Sequence, residues 1–108
     1  GILSKKIDNF VKSKGGRSKI TLEAILSKFG ENPICYITGD VIDLTNSKSY
    51  QFDHIIPKSK GGLDTIDNLG ITTRDANQMK TNLLYEELVE MSLKVIKEYE
   101  RKQNRLIV

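Results

Sequence analysis

Apolar side chains recur at helical spacing in two separate parts of the chain. Near its start they predict a helix from about residue 2 to residue 13, built on Leu3, Ile7, Phe10 and Val11. Near its end they predict a long helix with one apolar stripe, formed by Leu84, Leu88, Met91, Val95 and Tyr99, with Val89 and Ile96 beside them. The residues opposite that stripe are charged, namely Glu87, Glu90, Lys94, Lys97 and Glu98. The chain is therefore expected to carry an amphipathic helix at each end.

Shorter elements are predicted between these two helices. Thr21 is placed to cap a short helix that Gly30 ends. Extended stretches with intervening turns are predicted at 34–37, 41–42, 50–54 and 69–71, and a polar loop at 58–67. A further helix follows, capped by Thr72 or Thr73 and carrying Ala76, Asn77, Met79 and Lys80. This order predicts an α+β domain.

Length and composition exclude several classes of protein. The 108 residues suffice for one domain, and no apolar run approaches the roughly 18 residues that a membrane span needs. Lys5, Lys6 and Asp8 interrupt the first apolar patch, which argues against a signal peptide. Cys35 is the only cysteine and cannot form an internal disulfide. We therefore expect a reducing, cytoplasmic setting.

Charge is unevenly distributed along the chain. The net charge is +3, but residues 1–20 alone carry six basic side chains and one acid, so that segment is +5 and the remainder is −2. Such a basic arm is suited to a polyanion such as DNA, because Lys and Arg displace the counterions condensed on phosphates. The expected backbone contacts in the arm are Lys14, Arg17 and Lys19. The alternative is that these basic residues have no DNA partner and simply form the water-exposed face of a helix that packs on the core.

The polar residues best suited to catalysis or metal binding lie around the chain's only histidine. His54 directly follows Asp53 at the end of a predicted strand, and Asn68 and Asn77 come 15 and 24 positions after Asp53. Neighbouring strand residues point to opposite sides, so one side chain can bind a metal while the other handles a water. Carboxylate and amide oxygens suit a hard cation such as Mg²⁺. Alternatively, the histidine is structural and the asparagines serve turns and caps.

A longer set of motifs around this histidine closely resembles the HNH nuclease family. The matching runs are Phe52-Asp53-His54-Ile55-Ile56-Pro57-Lys58-Ser59, Gly61-Gly62, Ile66-Asp67-Asn68-Leu69 and Arg74-Asp75-Ala76-Asn77. Their spacing is similar to that of the HNH domain of RNA-guided CRISPR effector nucleases, with Asn in place of the last His. The run 35–39 resembles the knuckle that precedes the motif in many members. The resemblance covers about residues 33–82, so 1–20 and the final helix lie outside it.

The resemblance implies a ββα-metal core and a role for each motif residue. His54 resembles the general base that activates water, while Asp53 and Asn77 resemble the ligands of one divalent ion, magnesium or a substitute such as manganese. Asn68 resembles the catalytic-motif residue that braces the loop and holds the histidine. Cleavage would leave a 5′-phosphate and a 3′-hydroxyl.

Three lysines near the motif are further candidates for contact with DNA. They are Lys58, Lys60 and Lys80. Lys80 lies one helical turn beyond Asn77, where it could reach a phosphate oxygen. The alternative for Lys80 is an ordinary exposed lysine.

One departure from the family concerns zinc. Many members bind a structural zinc through two Cys-x-x-Cys pairs, but here Thr38 stands where the second thiolate would follow Cys35. We therefore expect no structural zinc and expect apolar packing, above all by the final helix, to replace it.

These observations predict a metal-dependent DNA endonuclease with a basic arm at 1–20 and the nuclease domain at 21–108. One alternative is a catalytically idle DNA-binding module of a larger protein, and another is an interaction domain that pairs through its final helix. DNA is the expected partner, and no membrane association is expected. The sequence is compatible with further domains of a parent protein. It is also compatible with nicking by a monomer and with double-strand cleavage by a dimer.

Overall fold

A computed structural model describes residues 2–11 and 20–107, which form four α-helices, two short 3₁₀ helices (Lys58–Lys60 and Ile66–Asn68) and a two-stranded sheet. The helices are α1 (Ile2–Phe10), α2 (Leu22–Phe29), α3 (Arg74–Lys80) and α4 (Tyr85–Ile107), and the strands are β1 (Tyr50–His54) and β2 (Leu69–Thr73). The sheet is followed directly by α3, which confirms the predicted α+β class with a ββα core and flanking helices.

The two strands form an antiparallel hairpin that leads straight into α3. Their register pairs Tyr50 with Thr73 at one end and His54 with Leu69 at the other. Thr73 then ends β2 and caps α3, because its side chain accepts a hydrogen bond of 3.2 Å from the backbone N–H of Ala76. The start of α3 is thereby fixed beside the start of β1, and Lys80 at the end of α3 reaches the backbone oxygen of His54 at the end of β1.

The predicted strands at 34–37 and 41–42 are wrong as strands. Only a single bridge, between Ile34 and Val41, joins them, and the chain between forms a tight turn with Gly39 at φ +81°. A turn this short leaves no length for a ladder, and the N–H of Tyr36 instead donates to the backbone oxygen of Ile71 in β2. Burial raises the pKa of the Cys35 thiol. Hydrogen bonds from the Thr38 side chain and from backbone N–H groups lower this pKa by more, so that it lies below its usual value.

Helix α1 packs on the core. Ile7 and Phe10 are buried in one apolar cluster with Ile20, Ile25 and Leu69. The Lys6 ammonium also donates a 2.7 Å hydrogen bond to the backbone oxygen of Tyr50 in β1. This is the packing alternative raised for residues 1–20. The helix ends at Phe10, and Lys14, Arg17 and Lys19 lie outside the described residues.

The expected packing of the α4 stripe on the domain is wrong. Leu88 is buried at 6% exposure, but the stripe residues farther along the helix are half or more exposed, namely Met91, Val95, Ile96 and Tyr99. With 23 residues, α4 is about 35 Å long, and most of its apolar stripe remains exposed although the helix packs against α3. Nor is any helix among the described residues both long and apolar enough to cross a membrane.

Candidate active site at the end of strand β1

The last two residues of β1 direct their side chains to opposite faces of the sheet. Asp53 contacts Tyr36 and Lys80, whereas His54 contacts Phe10 and Asp64. Both side chains nevertheless border one cleft of about 290 Å³, because the strand ends there. The other residues that line this cleft are Asn9, Phe10, Pro57, Lys58, Ser59 and Asn82.

The Asp53 carboxylate is held by two donors on the same oxygen. The Tyr36 hydroxyl donates to Oδ2 over 2.5 Å, and the Lys80 ammonium lies 3.0 Å from it. Burial, then the hydrogen bond to Asp53, raises the pKa of Tyr36 above its ordinary range, so the phenol remains a donor. Neither contact involves Oδ1, which leaves one carboxylate oxygen for another ligand.

Gly70 makes the contact between Tyr36 and Asp53 possible. It pairs with Asp53 across the sheet, and a Cβ at position 70 would lie 2.6 Å from the Tyr36 ring. The aromatic ring therefore crosses β2 where there is no side chain, and its hydroxyl reaches the carboxylate on the neighbouring strand.

Lys80 is buried and paired with an acid. Its side chain is 0% exposed, and its ammonium also donates a 3.0 Å hydrogen bond to the backbone oxygen of His54. The alternative of an ordinary exposed lysine is therefore wrong. A direct contact with phosphate stays a prediction, and it would require the ammonium to leave Asp53. The Asp53 carboxylate stabilises the buried Lys80 ammonium, because removing an unpaired ammonium from water is costly.

Two contacts hold the imidazole ring of His54, one at its edge and one on its face. Its Nε2 lies 2.6 Å from Asp64 Oδ1, and its ring stacks on Phe10 with centroids 3.9 Å apart and planes 10° from parallel. The hydrogen bond from His54, with a further one from Lys58, lowers the pKa of Asp64. The imidazole is thus held between the loop after β1 and helix α1.

Asn68 braces the loop that joins the strands. Its Nδ2 donates to the backbone oxygens of Ile56 and Leu63 at 3.0 and 2.9 Å, and its Oδ1 accepts from Ile56 N–H at 2.8 Å. The loop closes so tightly that a Cβ on Gly62 would lie 1.7 Å from the oxygen of Ile56. Asn68 acts on the backbone, which holds the residues after His54 in place.

Asn77 lies on α3 one turn before Lys80 and is half-buried. Its side chain makes no hydrogen bond with any residue that the structure describes, and it does not line the cleft shared by Asp53 and His54. Helix α3 packs against β1, and the Asn77 amide oxygen, like Oδ1 of Asp53, is a hard ligand atom.

These two oxygens fit magnesium better than zinc. Mg²⁺ keeps several waters and commonly uses one or two carboxylates together with substrate phosphates. A structural zinc needs four protein ligands, and among residues 2–11 and 20–107 no group of three or more His, Cys, Asp and Glu side chains is close enough to hold a metal.

The loop lysines proposed to contact DNA are bound within the protein. Lys58 contacts Asp64 Oδ2 at 3.0 Å, and Lys60 contacts Glu87 at 2.5 Å and the backbone oxygen of Asn82 at 2.9 Å. Both side chains are still partly exposed, so contact with a phosphate stays a prediction for each.

Sequence reasoning missed three residues that shape the site. Phe10 was recognised only as an apolar helix residue, and Tyr36 only as part of the knuckle. Asp64 was one acid within a polar loop, ten positions after His54. Helical spacing gave a signal for the burial of Phe10, whereas the other two contacts depend on how the loops fold back.

One of three comparisons with known proteins found a match. A family model described as HNH endonuclease matches residues 35–84, which include the knuckle, the hairpin, its loop and α3. No curated protein and no solved structure matches the chain.

Proposed function

We propose that this domain hydrolyses phosphodiester bonds in DNA, because residues 35–84 match a family model described as HNH endonuclease. In this proposal His54 is the general base, and Asp53 and Asn77 hold one divalent ion. The observation that carries it is that the sole imidazole and the Asp53 carboxylate border one cleft at the end of β1, where Asn68 closes the loop that follows.

The reaction requires a water, a base and a stabilised leaving group. The imidazole of His54 accepts a proton from water as the water oxygen attacks phosphorus, and the bond from phosphorus to O3′ breaks. The products are a 5′-phosphate and a 3′-hydroxyl, whose oxygen takes a proton from solvent. Phe10 and the loop hold the ring in place while the proton is transferred.

A divalent ion, when bound, would stabilise the negative charge that develops on the phosphoryl and leaving oxygens. Asp53 would offer Oδ1, and Asn77 its amide oxygen. Lys80 already neutralises part of the Asp53 charge, so this pair alone should hold the ion weakly. We expect bound DNA to complete the site through its phosphate oxygens.

Plasmid nicking with and without Mg²⁺ tests the proposal. We expect conversion of supercoiled to open-circular or linear DNA only when the metal is present. Binding of DNA without cleavage at any concentration of Mg²⁺ or Mn²⁺ would instead support an idle DNA-binding module.

Asn77→Ala is expected to weaken metal binding, so that nicking needs more Mg²⁺, without altering the fold. Because its side chain has no hydrogen-bond partner among the described residues, its loss should leave the melting temperature unchanged and shift half-maximal nicking to about tenfold or higher Mg²⁺. Titration calorimetry with Mn²⁺ in the presence of DNA carrying a non-hydrolysable linkage measures the same change without turnover. An unchanged metal titration would exclude Asn77 as a ligand.

Asp53 needs a gentler substitution. Asp53→Ala should also weaken metal binding, but it would leave the buried Lys80 ammonium without its acid and is expected to lower stability. Asp53→Asn also removes the negative charge, but it keeps the side-chain volume and an oxygen that can accept hydrogen bonds from Tyr36 and Lys80, so it is the better variant for the same titrations.

Purified protein is expected to contain no tightly bound zinc. Cys35 is buried, and neither it nor His54 has companion ligands for a four-ligand cage. Elemental analysis after dialysis checks this, and one zinc per chain that resists a chelator would contradict it.

A further inference from the structure

We infer that Asp64 is a positioning residue that fixes the tautomer and the orientation of the His54 ring, an inference that rests on the proposed role of His54 as the base. The two residues lie ten positions apart, and the fold of the loop brings Nε2 to within 2.6 Å of Oδ1. Both side chains are less than one-fifth exposed, at 17% and 19%, so water competes poorly for this contact.

The Asp64 carboxylate is itself held in position. Its second oxygen, Oδ2, accepts a 3.0 Å hydrogen bond from the Lys58 ammonium. Hydrogen bonds from His54 and Lys58 keep its pKa below the usual value, so the group remains an anion at neutral pH. An ionised carboxylate can only accept hydrogen bonds, and therefore the proton in the contact with His54 must reside on Nε2.

This arrangement determines which nitrogen of the ring can act as the base. When a neutral imidazole carries its proton on Nε2, its free lone pair lies on Nδ1. Stacking against Phe10, with the two planes 10° apart, restricts rotation of the ring about the contact with Asp64. The carboxylate and the aromatic ring together present Nδ1 in one orientation, at no cost during the reaction.

Loss of Asp64 should therefore lower kcat more than it raises KM. We expect Asp64→Ala to reduce kcat by about 100-fold, the size of effect that follows from misplacing a catalytic group by about 1 Å. The KM for DNA should stay unchanged or fall, because Lys58 loses its anionic partner and becomes free to contact phosphate. A defect that merely unfolds the loop would raise KM as well.

The single histidine of the chain allows a direct spectroscopic test. Long-range proton–nitrogen NMR correlations of ¹⁵N-labelled protein, recorded at a pH where the ring is neutral, distinguish the two tautomers without an assignment problem. We expect the Nε2–H form in the parent protein, a mixture in Asp64→Ala, and retention of the Nε2–H form in Asp64→Asn, whose amide oxygen still accepts the hydrogen bond.

Asp67→Ala is the matched control, because Asp67 is an exposed acid in the same loop and does not contact the histidine. We expect it to keep the tautomer and kcat of the parent protein. An Asp64→Ala protein with both the parent tautomer and the parent kcat would overturn the inference. If the tautomer responds to Asp64→Ala but the parent protein cleaves no DNA, the positioning role is supported and the proposed nuclease function fails.

Discussion

His54→Ala is expected to reduce DNA nicking by about 100- to 10,000-fold, the range that general-base catalysis contributes. The substitution removes the only imidazole in the chain from a cleft that it shares with Asp53. DNA binding should persist, because none of the lysines discussed as contacts with phosphate depends on this ring. Plasmid nicking, a binding isotherm and a melting curve, measured on the same preparation, separate these effects.

A second readout distinguishes lost chemistry from lost packing. His54 stacks on Phe10, so the alanine variant also loses one aromatic contact. Added imidazole should restore part of the activity of His54→Ala, because the small base can enter the space that the side chain leaves, and it should not restore a protein whose site has collapsed. Ser59→Ala, an exposed position bordering the same cleft, should behave like the parent protein. Nicking by His54→Ala near the parental rate would exclude the residue as the base.

Local sequence signals were sufficient for the ββα unit. The strand predicted at 50–54 has the observed bounds, and Thr73 was one of the two caps expected for the helix that follows β2. Each of these elements is determined by neighbours in sequence, through turn residues, a capping hydroxyl and apolar spacing. The polar loop predicted at 58–67 lies within the stretch 55–68 that joins the two strands.

Contacts that depend on the path of a loop could not be predicted in this way. Asp64 meets His54 because Asn68 and Gly62 draw the loop back on itself, and Tyr36 meets Asp53 because Gly70 leaves room for its ring. No periodic pattern of residues in the sequence predicts either contact. The same distinction explains the error in α4, since helical spacing predicts an apolar face but does not determine what covers it.

Lysines that form hydrogen bonds within the fold are a further feature that charge counting does not predict. Lys6, Lys28 and Lys80 each donate to backbone oxygens of the hairpin or its loop. Burial lowers the pKa of Lys6 and of Lys28, in keeping with their use as hydrogen-bond donors within the fold. Part of the positive charge that suggested a DNA-binding surface therefore serves to join α1, α2 and α3 to the sheet.

Phe10→Ala is expected to lower the free energy of unfolding by about 3–5 kcal/mol, the usual cost of removing a buried phenylalanine. Phe10 is 4% exposed and belongs to the cluster that joins α1 to β2. Its loss should also reduce nicking, because the His54 ring loses the surface on which it stacks. Chemical denaturation gives the first effect, and nicking at a temperature where the variant is folded gives the second.

Two further substitutions in α1 separate packing, positioning and charge. Ile7→Ala removes a buried side chain of the same cluster that does not border the cleft, so it should cost about 2–5 kcal/mol of stability with a smaller loss of kcat than Phe10→Ala. Lys5→Ala removes an exposed charge and should leave the melting temperature unchanged. If Lys5 contacts a phosphate, its loss lowers the salt dependence of DNA binding by about one ion, whereas Phe10→Ala keeps the parental slope. A parental melting temperature for Phe10→Ala, together with a reduced salt slope for Lys5→Ala, would show that α1 acts as a DNA-binding arm and does not stabilise the core.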